Sequence, residues 1–80
     1  LAGAPELSCD EFNLTIYSEK SLPALYVYIV NAQGAVVYAN LHSIGSESSE
    51  SISISMLSEG LYTVYLYSGS NYLAASLAIQ

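Results

Sequence analysis

Apolar and polar side chains alternate with a period of two residues along most of this chain. The clearest case is the stretch Leu61–Tyr67, in which Tyr62, Val64 and Leu66 share one face. Successive side chains of a β-strand point to opposite faces, so this alternation predicts a strand with one buried face. No 3.6-residue period of the kind that marks an amphipathic helix is sustained anywhere. The pattern therefore predicts an all-β protein.

The same alternation, interrupted by Gly, Ser, Asn and Pro, predicts six strands and a shorter one before them. Gly34 can adopt the positive φ of a tight hairpin turn, which predicts a hairpin across Asn31–Gly34. Strands that recur about every ten residues between turn signals favour an antiparallel sandwich or a small barrel, and of the two we expect a sandwich of six to seven strands. The predicted strands are Leu7–Cys9, Glu11–Tyr17, Ala24–Asn31, Ala35–Leu41, Ser51–Met56, Leu61–Tyr67 and Tyr72–Ile79.

The stretch His42–Ser51 is rich in serine and contains Gly45, so it is expected to be a mobile connection with almost nothing to bury. The alternating phase of the strands on either side predicts one core between two sheets. The expected core residues are Phe12, Leu14, Ile16, Leu25, Val27, Ile29, Val37, Ile52, Ile54, Met56, Tyr62, Val64, Leu66, Ala75, Leu77 and Ile79.

Length and composition limit what such a fold can do. Eighty residues predict a single domain over 1–80, with 1–10 either loosely ordered or a short edge strand, and any site on the surface. The net charge of −6, with Lys20 as the one basic residue, argues against binding nucleic acid or an anionic membrane. No apolar run is long enough to span a bilayer, and the first residues lack the pattern of a signal peptide, as in a mature or trimmed product.

The candidates for chemistry are few. Cys9 is the only cysteine, which excludes an internal disulfide. A metal site at His42 would need Glu47 and Glu50, and calcium would need these acids or Asp10 with Glu11, but neither set has the spacing of a known metal loop. The serines lie in no nucleophile motif. We therefore expect a protein without catalytic residues, metal or cofactor.

Tyr62 and a set of four other tyrosines stand out by their positions in the predicted strands. Tyr62 follows Gly60 at the start of its strand, where immunoglobulin-like sandwiches bury a tyrosine whose hydroxyl binds the preceding corner, here near Leu57 or Ser58. If the third and sixth strands are neighbours, four other tyrosines stand on the outer face of one sheet, and Tyr72 could extend their row. These four are the candidate binding residues: Tyr26, Tyr28, Tyr65 and Tyr67.

Clustered tyrosine is favoured at protein interfaces and on sugar-stacking platforms, although tyrosine also simply suits half-exposed strands. The expected partner is a protein or a glycan, or a second copy of the chain that forms a homodimer through this face.

The hairpin Val27–Tyr38, the alternation Ile52-Ser53-Ile54 and the stretch Leu57–Leu66 resemble a domain-of-unknown-function family of small secreted Bacteroidetes proteins. The same order is similar to the C-terminal sorting domains of the type IX secretion system. The resemblance implies an immunoglobulin-like sandwich that is secreted, periplasmic or on the cell surface, and it carries no catalytic residue. A non-enzymatic interaction or adhesion module is the expected function. The alternative is a sorting domain cut from a larger protein, but the neutral end Leu77–Gln80 departs from the basic end usual in such domains.

Overall fold

The computed structural model describes residues 5–10, 12–69 and 71–79, and these form seven β-strands in two antiparallel sheets. The smaller sheet has the strand order β1-β2-β5 and the larger one the order β4-β3-β6-β7. The expected immunoglobulin-like sandwich is confirmed. The strands are β1 Glu6–Cys9, β2 Asn13–Ser18, β3 Leu22–Asn31, β4 Val36–Ile44, β5 Ser48–Ser53, β6 Gly60–Ser68 and β7 Asn71–Ile79.

The core lies between the two sheets and follows the period-two pattern in the middle of each long strand. In β6 the side chains of Tyr62, Val64 and Leu66 are buried, and their neighbours along the strand are half-buried or exposed. Burial of such apolar surface is the main favourable term in folding. The buried apolar residues are Leu14, Ile16, Leu25, Val27, Ile29, Ile44, Ile52, Ile54, Tyr62, Val64, Leu66 and Leu77.

Three residues expected in the core are exposed: Phe12, Val37 and Met56. Phe12 precedes β2 in a turn that the Asp10 carboxylate holds by accepting its N–H, so the strand phase does not extend back to it. Met56 lies in the turn after β5, which the bond from the N–H of Leu57 to the carbonyl of Ile54 closes. In each case the alternation continues in sequence beyond the end of the strand.

Val37 is exposed because of a β-bulge. Ile29 pairs with Tyr38, whereas the next residue, Val30, pairs with Val36, so Val37 is the extra residue on β4. A bulge shifts the phase of a strand by one residue. The shift turns Tyr38 rather than Val37 toward the core, against which Tyr38 is partly buried.

The prediction of a loop over His42–Ser51 is wrong. β4 continues to Ile44, which is buried and pairs with Leu22, and β5 already begins at Ser48. Every residue from Ser48 to Ser53 has a partner in β2. Backbone pairing thus makes a strand of a serine-rich stretch, whose outward side chains need no apolar neighbour. The strand predicted over Ser51–Met56 accordingly lies three residues earlier.

The turn between β3 and β4 has the expected hairpin form. Gly34 has a φ of 87°, and its N–H donates to the carbonyl of Asn31. The side chain of Asn31 accepts hydrogen bonds from the N–H groups of Gln33 and Ala35, which fixes the turn from inside. The other end of β3 begins at Leu22, where the register shifts before Leu25, and this irregularity accommodates Pro23.

Candidate functional site: a tyrosine-rich sheet face

The strand register brings the candidate tyrosines together. β3 and β6 are neighbours, and Tyr26 lies opposite Tyr67 while Tyr28 lies opposite Tyr65. On the far side of β6, Tyr67 lies opposite Tyr72 of β7. These residues alternate with buried core residues along their strands, so all five side chains stand on the outer face of the four-stranded sheet. We call Tyr26, Tyr28, Tyr65, Tyr67 and Tyr72 the tyrosine patch.

The rings of the tyrosine patch are packed against one another. The rings of Tyr67 and Tyr72 are stacked with centroids 5.1 Å apart and planes 9° apart. Tyr65 stacks on both of them, with centroid distances of 6.5 Å to Tyr67 and 6.0 Å to Tyr72. Tyr28 meets Tyr67 edge to face at 5.7 Å and stacks with Tyr26 at 6.4 Å. The five rings therefore form one continuous aromatic surface.

The patch is partly open to solvent. Tyr26, Tyr67 and Tyr72 are exposed, whereas Tyr28 and Tyr65, at the middle of their strands, are half-buried. An open concavity of about 490 Å³ lies beside the rings. It is lined by Tyr26, Tyr28, Val30, Val36, Tyr65 and Tyr67.

Charge is absent from the whole sheet that carries the patch. The strands at 22–31, 36–44, 60–68 and 71–79 contain no Asp, Glu, Lys or Arg. The chain's charged residues fall in the smaller sheet, in its connections and just before β6. The sandwich thus has one acidic side and one neutral, aromatic side. The charged residues are Glu6, Asp10, Glu11, Glu19, Lys20, Glu47, Glu50 and Glu59.

His42 lies on β4 rather than in the predicted loop, and it forms a hydrogen-bonded group with Tyr38 and Glu50. It is half-buried on β4, where its Nε2 lies 2.7 Å from the hydroxyl of Tyr38 and its Nδ1 lies 3.3 Å from a carboxylate oxygen of Glu50. All three groups are satisfied when the imidazole is neutral, Nδ1–H donates to Glu50 and Nε2 accepts from Tyr38. Since Glu50 is on β5, this group joins the two sheets.

The acids considered as calcium ligands do not converge. The carboxylate of Asp10 accepts the N–H groups of Phe12 at 2.9 Å and Asn13 at 2.7 Å, and these two bonds lower its pKa. Glu50 is bound to His42, and Glu47 lies in the turn between β4 and β5. Glu11 lies outside the described residues. Among residues 5–10, 12–69 and 71–79, no group of three His, Cys, Asp or Glu side chains could hold a metal ion.

The predicted tyrosine corner is present. The hydroxyl of Tyr62 donates to the carbonyl of Ser58 at 2.7 Å, and the ring is buried. This bond anchors the connection that leads into β6, so Tyr62 has a structural role. Cys9 is exposed and free. Nowhere in the described part of the chain is there a helix long and apolar enough to span a membrane.

Two features of the site escaped the sequence reasoning. The His42 group depends on β4 running past Leu41, which the serine-rich composition concealed. The neutrality of the larger sheet was visible in the sequence, because counting charged residues strand by strand already separates the four neutral strands from the rest. The strand order is also needed to show that these four strands form one sheet and therefore one neutral surface.

The comparisons with known proteins concern the whole chain. Residues 2–79 match the family model described as Domain of unknown function (DUF3244). A crystal structure of a DUF3244 family protein from Bacteroides vulgatus ATCC 8482, described as an immunoglobulin-like β-sandwich, superposes with a TM-score of 0.82. That similarity covers 95% of this chain and 83% of the other at 20% sequence identity, so it shows the fold alone. No curated protein matches the sequence. The chain therefore belongs to the DUF3244 family, whose fold is an immunoglobulin-like β-sandwich.

Proposed function

We propose that this domain is a non-enzymatic, exported interaction module that binds a protein partner through the tyrosine patch. The observation that carries the proposal is the coincidence of five packed tyrosine rings with a sheet that contains no charged residue. Large apolar patches on soluble proteins commonly mark interaction sites. Tyrosine offers a large amphipathic contact area with little loss of side-chain entropy, and it is enriched at interfaces.

The arrangement of the rings favours a protein partner over a glycan. A sugar ring stacks on the open face of an aromatic ring, whereas the rings of the patch are already in contact with one another. The centroids of neighbouring rings lie 5.1 to 6.5 Å apart. A sugar ring inserted between two of them would need two contacts of about 3.5 to 4.0 Å each, which exceeds this spacing.

The patch also presents tyrosine hydroxyl groups and the open concavity beside Val30 and Val36. An apolar side chain fits such a concavity, and backbone carbonyls of a partner can accept hydrogen bonds from tyrosine hydroxyls. We therefore expect the partner to present a neutral segment with one or two large apolar residues. Export is part of the proposal and follows from the resemblance to secreted proteins.

The secretion-sorting alternative rests on the order of sequence motifs. Neither the matching family nor the crystal structure from Bacteroides vulgatus is described as a sorting domain. We give preference to the interaction module, because it is supported by a specific surface.

The proposal can be tested with a random peptide library displayed on phage. Tyr67→Ser removes the ring that contacts Tyr28, Tyr65 and Tyr72. Leu61→Ser is the matched control, since Leu61 is an exposed apolar residue on the same face of the same strand, outside the patch. Selected peptides should bind the parent and Leu61→Ser equally and Tyr67→Ser at least tenfold more weakly. Peptides that bind all three alike, or a glycan array whose ligands depend on Tyr67, would overturn the protein-binding proposal.

A further inference from the structure

β7 is an edge strand with an unusually regular backbone. It is the last strand of the four-stranded sheet, and β6 is its partner within the described residues. The register runs from the pair of Gly60 with Ile79 to the pair of Ser68 with Asn71 without a single shift. Residues 71–79 contain no proline, no glycine and no charged side chain.

The other three sheet edges carry features that hinder pairing with a further strand. β4, at the opposite edge of the same sheet, faces two irregularities in its pairing with β3. β1 has only four residues and carries Glu6, and β5 carries Glu50. Bulges, charges, proline and short length are the usual means by which proteins protect their edges. β7 has none of them.

The register also shows which backbone groups of β7 are free. Ser68 pairs with Asn71, and two residues this close in sequence can pair only by exchanging their own N–H and C=O groups, so this pair is hydrogen-bonded. Hydrogen-bonded and non-hydrogen-bonded pairs alternate along an antiparallel ladder. The N–H and C=O groups that point away from β6 therefore belong to Tyr72, Ala74, Ser76 and Ala78.

We propose that β7 pairs antiparallel with β7 of a second copy of this chain across a twofold axis near Ala75. Closed dimers use the same surface twice, so the strand must complement itself in reverse. With Ala75 on the axis, Tyr72 faces Ala78, and Ala74 faces Ser76, while Leu73 meets Leu77 on the core side. The bulky end of each strand then lies against the small end of the other.

The charge distribution permits this contact in a protein of net charge −6. The strands of the four-stranded sheet are neutral, and Glu59 directly precedes Gly60, the partner of Ile79 at the end of β7. In the proposed dimer the two Ile79 residues lie at opposite ends of the paired strands, about 27 Å apart along them. That separation is about three times the Debye length at physiological ionic strength, so the two copies of Glu59 repel each other only weakly.

The dimer would contain one continuous sheet of eight strands, four from each copy. Both tyrosine patches would stand on the same side of it, because twofold pairing within a sheet keeps each outer face outward. Such an arrangement would present two binding surfaces to a repetitive partner, and the two sites would reinforce each other through multivalency. Dimerisation itself does not depend on the patch being a binding site.

The experiment combines sedimentation with amide hydrogen exchange of the unmodified chain. From micromolar to millimolar concentration we expect the apparent mass to rise from 8.5 kDa toward twice that value. Exchange at the amides of Tyr72, Ala74, Ser76 and Ala78 should slow at least tenfold over the same range. A protein that stays monomeric throughout, or one that associates without slowing these amides, would contradict the proposal.

Three variants complete the test. Ser76→Pro removes an amide that points away from β6 and should abolish association, whereas Ser76→Thr keeps the amide and should associate like the parent. Tyr67→Ser should also associate like the parent. Loss of association in Tyr67→Ser would assign it to the tyrosine patch and overturn the β7 proposal. If Ser76→Pro does not fold, the exchange measurement on the parent decides the question alone.

Discussion

The hydroxyl of Tyr62 shows how one polar atom can fix a corner of a small sandwich. Its bond to the carbonyl of Ser58 satisfies a backbone group at the entrance of β6, and the ring fills the core beneath it. Leaving a buried hydrogen-bonding group without a partner is unfavourable, even where the bond itself contributes little net stability. The Tyr62 side chain of β6 thus holds the connection that precedes its own strand.

Ser58 is exposed, so water can replace the lost partner, and Tyr62→Phe should lower the free energy of unfolding by roughly 0.5 to 1.5 kcal/mol without a change of fold. Urea denaturation of the parent and the variant measures this directly. Tyr72→Phe, which changes an exposed ring, is the control and should leave the midpoint unchanged. Equal midpoints for both variants would show that the Tyr62 hydroxyl gains nothing from Ser58.

Asp10 gives a second prediction, for the dependence of stability on pH. The N–H groups of Phe12 and then Asn13 hold its pKa below the ordinary value of 3.8. The folded state therefore favours the ionised carboxylate, and the resulting stability is present above the unfolded pKa and lost as pH falls through the folded one. Asp10→Asn keeps the oxygen acceptor but not the charge.

We expect Asp10→Asn to unfold at lower urea concentration than the parent at about pH 7, with the two midpoints converging as pH falls through the lowered folded pKa of Asp10. A carbon NMR titration of the Asp10 carboxyl group provides the folded pKa independently. A midpoint difference that persists unchanged at low pH would show that the ionised carboxylate does not contribute.

Among the strands, β6 is one of the two central strands of the larger sheet. It lies between β3 and β7, and its buried side chains contact the opposite sheet across the core. Leu66 is 2% exposed, whereas Leu61 on the same strand is 69% exposed. Substitutions of Leu66 and Leu61 therefore compare the buried and the exposed face of the same strand.

Leu66→Ala should lower the free energy of unfolding by about 2 to 5 kcal/mol, since it removes buried methyl groups and leaves a cavity. Leu61→Ala should change it by less than about 0.5 kcal/mol, as is usual for an exposed site. Thermal and urea unfolding provide both values. Similar losses in the two variants would place Leu61 and Leu66 in equivalent environments, contrary to the strand phase described here.

The sequence predicted the interiors of the strands well and their ends poorly. Leu25, Val27, Val64 and Leu66 lie where the alternation places them, because an unbroken strand keeps one phase. Val37 does not, because it lies at a bulge. A bulge is set by the pairing of two strands and cannot be recognised from the hydrophobic alternation of one strand alone. The tyrosine patch is predictable from the sequence once β3 and β6 are assumed to be neighbours. The packing of its rings is not, because it depends on the register between the strands.

The hydrogen-bonded group of Tyr38, His42 and Glu50 links β4 to β5. Its contribution to stability should be modest, since Glu50 remains 39% exposed and solvent screens the pair. Glu50→Gln preserves an oxygen that can accept the imidazole N–H, so we expect it to lower the free energy of unfolding by less than about 1 kcal/mol. Urea denaturation checks this value. A much larger loss would mean that the ionised carboxylate is essential to the contact between β4 and β5.

Over the whole molecule, the decisive property is the separation of charge from aromatic surface. The acids lie in the smaller sheet and the connections, and the four neutral strands carry the proposed contact surface. Binding through this side should depend little on salt, because it neutralises no charge. Raising ionic strength from about 0.01 to 1 M shortens the Debye length from about 30 to 3 Å and removes electrostatic contributions between exposed groups.

An amide chemical-shift map of the protein, titrated with a peptide selected against it, distinguishes binding at the tyrosine patch from binding elsewhere on the sandwich. We expect the largest shifts at 26–30 and 63–67, on the two strands that carry the centre of the tyrosine patch, with an affinity that changes less than about threefold from about 0.01 to 1 M salt. Largest shifts in β1, β2 or β5, or an affinity that falls steeply with salt, would contradict it. In that case the acidic side of the sandwich, rather than the tyrosine patch, would be the binding surface.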